Sequence, residues 1–557
     1  MKSRKQNCFT AITLLAALAI PVPLTAQNRQ SNQHHHYKLI DIGTFGGPSS
    51  YFNNLNLTDR FGFLTAFYSF AHVRNQRAGL VGFADTSAPD PYAPFCYVPE
   101  CYASHAFQYQ HGVKTDLGTL PGGASSAAFW INSNGLIVGN SQNGDMDPLV
   151  PGLPQLRAVM WNGGGITDLG TLGGNQSYAA AVNDRGQVTG LAVNDIPDPF
   201  SFHYLYLYFS ANGTQARGFV WDKQGGMRDL GTLGGPDSFP NLINNRGQIA
   251  GFSYTNSTPN SYTGYPTVHP FLWEEGKGMK DLGGLGGDTA SVNGLNERGE
   301  VVGGNLLSQN SQVHPFLWDG RKLIDLIAPP FGGAANGEAG WINEAGDVVG
   351  LAGLPIACPG GPPPAEVQHA FLWSKGKMRD LGTVAGIPNS QASFINSRRQ
   401  IVGLAFACDF SVFDAILWED GSMVDLNQLI PANSGFQLYS ASFIDDRGVI
   451  AAFGSLPNFD THAVLLIPCD ENHPGIDGCD YSEVEESAGA TRAGSQPVVQ
   501  NRTIGNPWVG AAGSAILPSL RRRLVPLYPN LGVQQPQNDP YKDSQLSQAA
   551  FCCGRSF

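Results

Sequence analysis

The stretch His369-Ala370-Phe371-Leu372-Trp373, a short glycine-containing link, Met378-Arg379-Asp380-Leu381-Gly382, and then Phe394-Ile395-Asn396 and Gln400-Ile401-Val402-Gly403 decides how this chain folds. Each piece is a few residues of β-branched, aromatic and aliphatic side chains bounded by Gly, Asn or Asp, the pattern of short strands joined by tight turns. In His369 to Trp373 alternate side chains point to opposite faces, and both faces are apolar. A strand of that kind must be covered on both sides.

The pattern recurs eight times. The Asp of the Asp-Leu or Asp-Ile pair stands at Asp41, Asp116, Asp168, Asp229, Asp281, Asp325, Asp380 and Asp425. An Asn lies seven residues before a valine-glycine-type step in copy after copy: Asn75 to Gly82, Asn132 to Gly139, Asn183 to Gly190, Asn244 to Gly251, Asn296 to Gly303, Asn343 to Gly350 and Asn396 to Gly403, with Asp445 to Ala452 as the eighth. A register held that tightly marks a hairpin, with positive φ expected at its glycines, Gly186, Gly247 and Gly299 among them. The link from the aromatic strand to the next Asp-Leu strand is near constant and marks a second hairpin. Each unit is therefore four strands.

Self-similarity at about fifty residues, four strands per unit and two apolar faces predict an all-β fold. The expected architecture is a β-propeller of eight four-stranded blades, with seven as the alternative count. The first strand, Lys38 to Gly43, has no aromatic partner before it, and the last, His462 to Ile467, has no Asp-Leu partner after it. Their unpaired edges are complementary, so the ring is expected to close by antiparallel pairing near Ile40 and Leu465.

The strings His-Ala-Phe-Leu-Trp at 369 to 373 and Met-Arg-Asp-Leu-Gly at 378 to 382 resemble the HAF-repeat family of bacterial extracellular proteins. The likeness covers residues 37 to 468 and implies a secreted repeat protein. It implies no activity, because that family has no established catalytic residues to carry over. Arg157 and Arg217 stand where the motif has His, and the last copy lacks the Trp.

Outside the repeats, residues 1–26 read as a signal peptide: basic Lys2, Arg4 and Lys5, an apolar run from Ala11 to Ile20, and Ala26 before the expected cleavage point. The mature protein is therefore expected in a secreted, periplasmic or extracellular location, with no membrane span and as a monomer. Residues 27–36 read as a linker with solvated His34 to His36, and 469–557 as a low-complexity, disordered tail pinned at its start by cysteines. Glycine is 69 of 557 residues and charged residues only 14%, which suits many tight turns. A net charge of -12 without a basic stripe argues against nucleic acid as a partner. Cys96 with Cys101, Cys358 with Cys408, and Cys469 with Cys479 are the candidate disulfides, and Cys552 and Cys553 are candidates for free thiols.

Alternating strand direction puts the long, variable loops on one face of the disc, where binding is usually placed. The first three long loops carry Asp85 and Asp90, Asp145 and Asp147, Asp195 and Asp198, with aromatics such as Tyr92, Tyr97, Phe202 and Tyr204. Asp-Pro steps start turns, which is the reading preferred for these acids; converging, they could hold Ca²⁺, and no other cofactor is implied. Aromatic rings beside carboxylates suit a sugar, so an extracellular glycan or protein is the expected ligand. No catalytic motif stands clear of the repeat. The competing readings are a polysaccharide hydrolase or lyase using the loop carboxylates, and a structural envelope or matrix protein. The motif histidines and Asp-Leu aspartates recur once per blade and are expected to make structural hydrogen bonds.

Overall fold

A computed structural model describes residues 33–52, 79–93, 96–98, 100–148, 152–198, 200, 213–261, 264–310, 312–329, 331, 336–358, 366–477, 479 and 484–486. Residues 1–26, Asn75, Phe202, Tyr204, Cys552, Cys553 and most of the tail lie outside them, so the expectations placed on those positions do too.

Eight antiparallel four-stranded sheets form the blades of a propeller, spanning 46–116, 126–168, 177–229, 238–281, 286–325, 337–382, 389–425, and 437–468 completed by 37–41. In blade 3 the strands are Ser177–Val182, Val188–Pro197, Thr214–Asp222 and Gly226–Asp229, in that spatial order. The first strand of a blade touches the first strand of the next, so it lines the axis, and the Asp-Leu strand is outermost. The inner strand of blade 5 is broken into Gly286–Ala290 and Gly294–Leu295.

The aromatic strand supplies the packing. Phe107, Phe219, Phe271, Phe316 and Phe371, one per blade, are fully buried, each contributing roughly 1.5–3 kcal/mol by leaving water. The valine-glycine step has a steric cause. The inner strand carries a bulge opposite it, and a Cβ on Gly139, Gly190 or Gly251 would sit 1.9, 2.0 or 2.2 Å from the carbonyl oxygen of Ala127, Tyr178 or Phe239. Only glycine fits there. The turn glycines Gly186, Gly247 and Gly299 have φ of 77, 78 and 81°, as the hairpin reading requires.

Asparagine joins blade to blade. Each turn Asn accepts from two amides of its own turn, as Asn244 Oδ1 does from Arg246 and Gln248. Its Nδ2 donates to the corresponding carbonyl of the next blade: Asn132 to Asn183, Asn183 to Asn244, Asn244 to Asn296, Asn296 to Asn343, Asn343 to Asn396, and Asn396 to Asp445, at 2.8 to 3.2 Å. One residue further on, the amides of Ser133, Asp184, Asn245, Glu297 and Ser397 donate to side chains of the following blade.

The ring closes as expected: Tyr37–Asp41 pairs antiparallel with Thr461–Pro468, with Ile40 opposite Leu465. Asp41 accepts from His462 across this seam as it would within any internal blade. The Ala463 amide donates to Ser50 of blade 1, repeating the link that Ala106 makes to Ser126 and Ala158 to Ser177.

The reading of the linker needs correction. Residues 33–36 are more than a linker: Gln33–His35 pairs with Val484–Glu486, and His34 is buried, bonded to Glu419 and Ser422 of blade 7. The start of the tail is also ordered, with Cys469 bonded to His36 and disulfide-linked to Cys479, and His473 held by Asp470. Among the described residues no helix is long and apolar enough to cross a membrane.

Removing residues up to Gly43 is expected to lower the unfolding temperature of the whole disc in one cooperative transition, measured by calorimetry; loss confined to a separate minor transition would show that closure does not support the ring. Asn244→Asp keeps both acceptors but replaces a donor with an oxygen facing the Asn296 carbonyl, so denaturant unfolding is expected to show a loss of about 1–3 kcal/mol.

Candidate functional site

The tight turns lie at one end of the disc and the longer connections at the other. The motif histidines are structural: His105, His269, His314, His369 and His462 bond through Nδ1 to Asp116, Asp281, Asp325, Asp380 and Asp41 on the outer strand. Arg217 makes the same contact to Asp229, whereas Arg157 turns to Gln155. The outer-strand aspartates also accept from the amide two residues on, as Asp168 does from Gly170. These groups sit one per blade around the rim and form no single centre.

Near the turn end of the inner strands Trp341 of blade 6 stacks on Phe394 of blade 7 at 4.7 Å between centroids, and Phe394 meets Phe443 of blade 8 at 4.6 Å. An open depression of about 510 Å³ on the turn side is lined by Arg185, Asp222, Arg228 and Glu275, and Arg228 is already paired with both acids.

On the loop side the three pairs of loop aspartates do not converge. Asp90 is buried and accepts from the amides of Tyr92 and Tyr97, folding the loop closed by Cys96–Cys101. Tyr97 packs its ring edge-on to Phe83 and donates to Asn140 of blade 2. Asp147, also buried, accepts from Gln176 of blade 3, and Asp198 from the Phe200 amide. Asp145 and Asp195 are exposed. Among the described residues no group of three or more His, Cys, Asp or Glu is arranged to hold a metal ion. The Cys358–Cys408 disulfide staples the loops of blades 6 and 7. Three disulfides in one chain suit an oxidising compartment.

Asp85 differs from the other five. It is fully buried, accepts from the Ser104 hydroxyl at 2.6 Å and the Ser49 amide at 3.2 Å, and lies in the field of Glu100 and Asp460. Burial, with help from Glu100, pushes its carboxyl up to about 7, against the two hydrogen bonds that favour the ionised form. Glu100 accepts from the Tyr51 hydroxyl at 2.9 Å. Burial and the Glu100 charge hold the Tyr51 and Tyr439 phenols well above their usual range. Tyr51, Asp85, Glu100, Tyr439 and Asp460 thus form an acidic, aromatic cluster where blade 8 meets blade 1.

The shortest loops carry what sequence reading missed. Gln309, Phe410 and Phe459, in the loops of blades 5, 7 and 8, have φ of 64, 59 and 70°. For a bulky side chain this left-handed backbone is costly, by roughly 1–2 kcal/mol. Phe410 and Phe459 occupy equivalent places, each amide bonded back to the carbonyl three residues earlier, of Ala407 and Leu456. Phe410 folds down onto Phe406 and Phe413. Phe459 does not: it is 64% exposed, and its chain neighbour is Asp460 of the seam cluster.

No family model matches the chain, and no curated protein matches it. Among solved structures it is similar to the acylaminoacyl peptidase of Pyrococcus horikoshii, at 12% identity and a TM-score of 0.36, over 72% of this chain and 59% of that one. The chain thus spans less than two thirds of that enzyme. It is also similar to the β-propeller domain of the Trilobed protease of Pyrococcus furiosus, at 9% identity and 0.36, over 65% and 96%. A polysaccharide lyase described as an ulvan lyase is similar at 10% identity and 0.33, over 76% and 95%.

An Asp85 carboxyl that titrates near 7 in the folded chain and near 3.9 when unfolded binds more protons when folded. Its stabilising contribution is complete below about pH 4 and is lost as pH rises through 7. Asp85→Asn is therefore expected to flatten the fall in unfolding temperature between these limits, measured across a pH series. An unchanged slope would show that this carboxyl does not titrate there.

Proposed function

We propose that this is a secreted, non-catalytic propeller that binds a glycan on its loop face, at the junction of blades 8 and 1. The observation that carries the reading is Phe459, a phenylalanine standing 64% exposed on positive-φ backbone, next to Asp460. A folded chain gains nothing in its own core from that ring, and a smaller residue would suit the backbone better. An aromatic face held out beside carboxylates matches a sugar, whose C–H face stacks on the ring while its hydroxyls donate to the acids. The alternative of a hydrolase or lyase needs two or three groups within hydrogen-bond reach of one reacting centre. Of the loop aspartates it would use, Asp90 is tied into its own loop, Asp147 to Gln176 of blade 3 and Asp198 to the Phe200 amide beside Asp237 of blade 4, while Asp145 and Asp195 stand apart on the surface.

The test separates function from folding. Phe459→Gly removes the ring and suits the backbone, so it is expected to leave the melting temperature unchanged or raise it, with a gain of about 1 kcal/mol. It is expected at the same time to reduce binding of the full chain to its ligands on an oligosaccharide array by at least tenfold. Retained binding with the variant would refute the site.

A further inference from the structure

We infer that the glycan taken by this face carries positive charge: it is a polymer of amino sugars with free amines. The inference rests on the glycan-binding reading above and narrows it.

Charge is sorted between the two ends of the disc. The connections between second and third strands contain Asp90, Glu100, Asp147, Asp198, Asp409 and Asp460. Neither they nor the connections from each outer strand to the next blade contain a single lysine or arginine. The cations lie at the opposite end, in the turns: Arg185, Arg246, Arg298, Arg398 and Arg447 after the inner strands, Lys223, Lys277 and Lys375 after the third strands. There they are interleaved with acids, and several are paired with them. The loop connections are therefore acidic, and the cations that reach them from the strands are held there, Lys114 on the Thr44 carbonyl and Arg217 on Asp229 and the Pro236 carbonyl, while the turn face is mixed.

A cluster of like charge selects by repulsion as well as attraction. A uronic or sulfated polymer would bring like charge against Glu100 and Asp460, whose own connections contain no lysine or arginine to receive it. A neutral sugar would desolvate these carboxylates and return only hydroxyl hydrogen bonds. An ammonium group satisfies them as a charge-assisted donor, and can also approach the face of Phe459. Exposed apolar side chains are placed to match: Met146, Ile196, Ile356 and Phe459 all lie at the loop end, whereas Val113 is at the turn end. An amino-sugar chain combines apolar ring faces with spaced positive charges, which is what this surface complements.

The experiment is calorimetric titration of the full chain, at mildly acidic pH, with four probes: a glucosamine hexamer, its N-acetylated counterpart, a galacturonic acid hexamer and an oligolysine. The glucosamine hexamer is expected to bind at least tenfold tighter than the acetylated one, with the galacturonic acid hexamer not binding. The preference should shrink as salt is raised from about 0.05 to 0.5 M, because the screening length falls from about 14 Å to 4 Å. Glu100→Gln combined with Asp460→Asn should weaken the amine-bearing probe several-fold and leave the acetylated one unchanged. Phe459→Gly should weaken both sugar probes. Equal or tighter binding of the acetylated hexamer overturns the charge inference and leaves the glycan reading standing. Binding of the galacturonic acid hexamer alone overturns the inference and shows that the carboxylates do not govern selection. Oligolysine binding that matches the glucosamine hexamer and ignores Phe459→Gly overturns both readings, leaving an unselective cation surface. Failure of all four to bind overturns the inference.

Discussion

The propeller depends on an amide side chain that can accept and donate at once. At the end of the inner strands of blades 2 to 7 Asn Oδ1 closes its own turn through two backbone amides, and Nδ2 reaches the next blade. Serine could close the turn less completely, and aspartate could close it but not donate across. Each such bond contributes only about 1 kcal/mol net, but a buried carbonyl left without its donor costs about 1–3 kcal/mol, so the repeated Asn is retained by what its loss would expose. The donor series runs from blade 2 to blade 8 and ends on Asp445, whose carboxylate accepts from Arg447 and Val449. Blade 8, where that series ends, is also where strand pairing of the two chain ends supplies the closure.

Around this scaffold the repeat is nearly symmetric, and any binding site must come from what breaks the symmetry. Residues that recur from blade to blade are consumed in holding it: His and Asp across the outer hairpin, Ser between blades, Phe in the core. The departures gather on the loop side. Asp85 takes a place where blade 2 has Gln142, whose Oε1 accepts from the Ala124 and Ser125 amides of the inner strand. A carboxyl in that position does the same structural task while carrying a charge its surroundings resist. Phe459 occupies a turn position suited to glycine.

Periodicity made the scaffold legible in the sequence. Seven-residue spacing placed the hairpins, complementary unpaired strands placed the closure, and cysteine positions in equivalent loops placed the staple between blades 6 and 7. Loop conformation was not legible in the same way. The sequence points to the long loops as the site, but Asp90 is buried as the internal fastener of its loop, Asp147 is buried against Gln176 of blade 3, and the strained residues stand on the shortest loops. Nothing in Leu456-Pro457-Asn458-Phe459 announces positive φ at a phenylalanine, because that backbone is imposed by a four-strand register and not by local preference. His34 was misjudged for a similar reason: its burial depends on Glu419 and Ser422, nearly four hundred residues away.

The outer strand Tyr37–Asp41 begins at the turn end of the disc, and Thr461–Pro468 finishes there. The arm at 33–35 and the segment at 484–486 then pair with each other on that same side. Both ends of the described chain therefore lie at the turn face. Because the two ends are paired, a pull on either one would first load that small two-stranded ladder, before force reaches the strand that closes the ring.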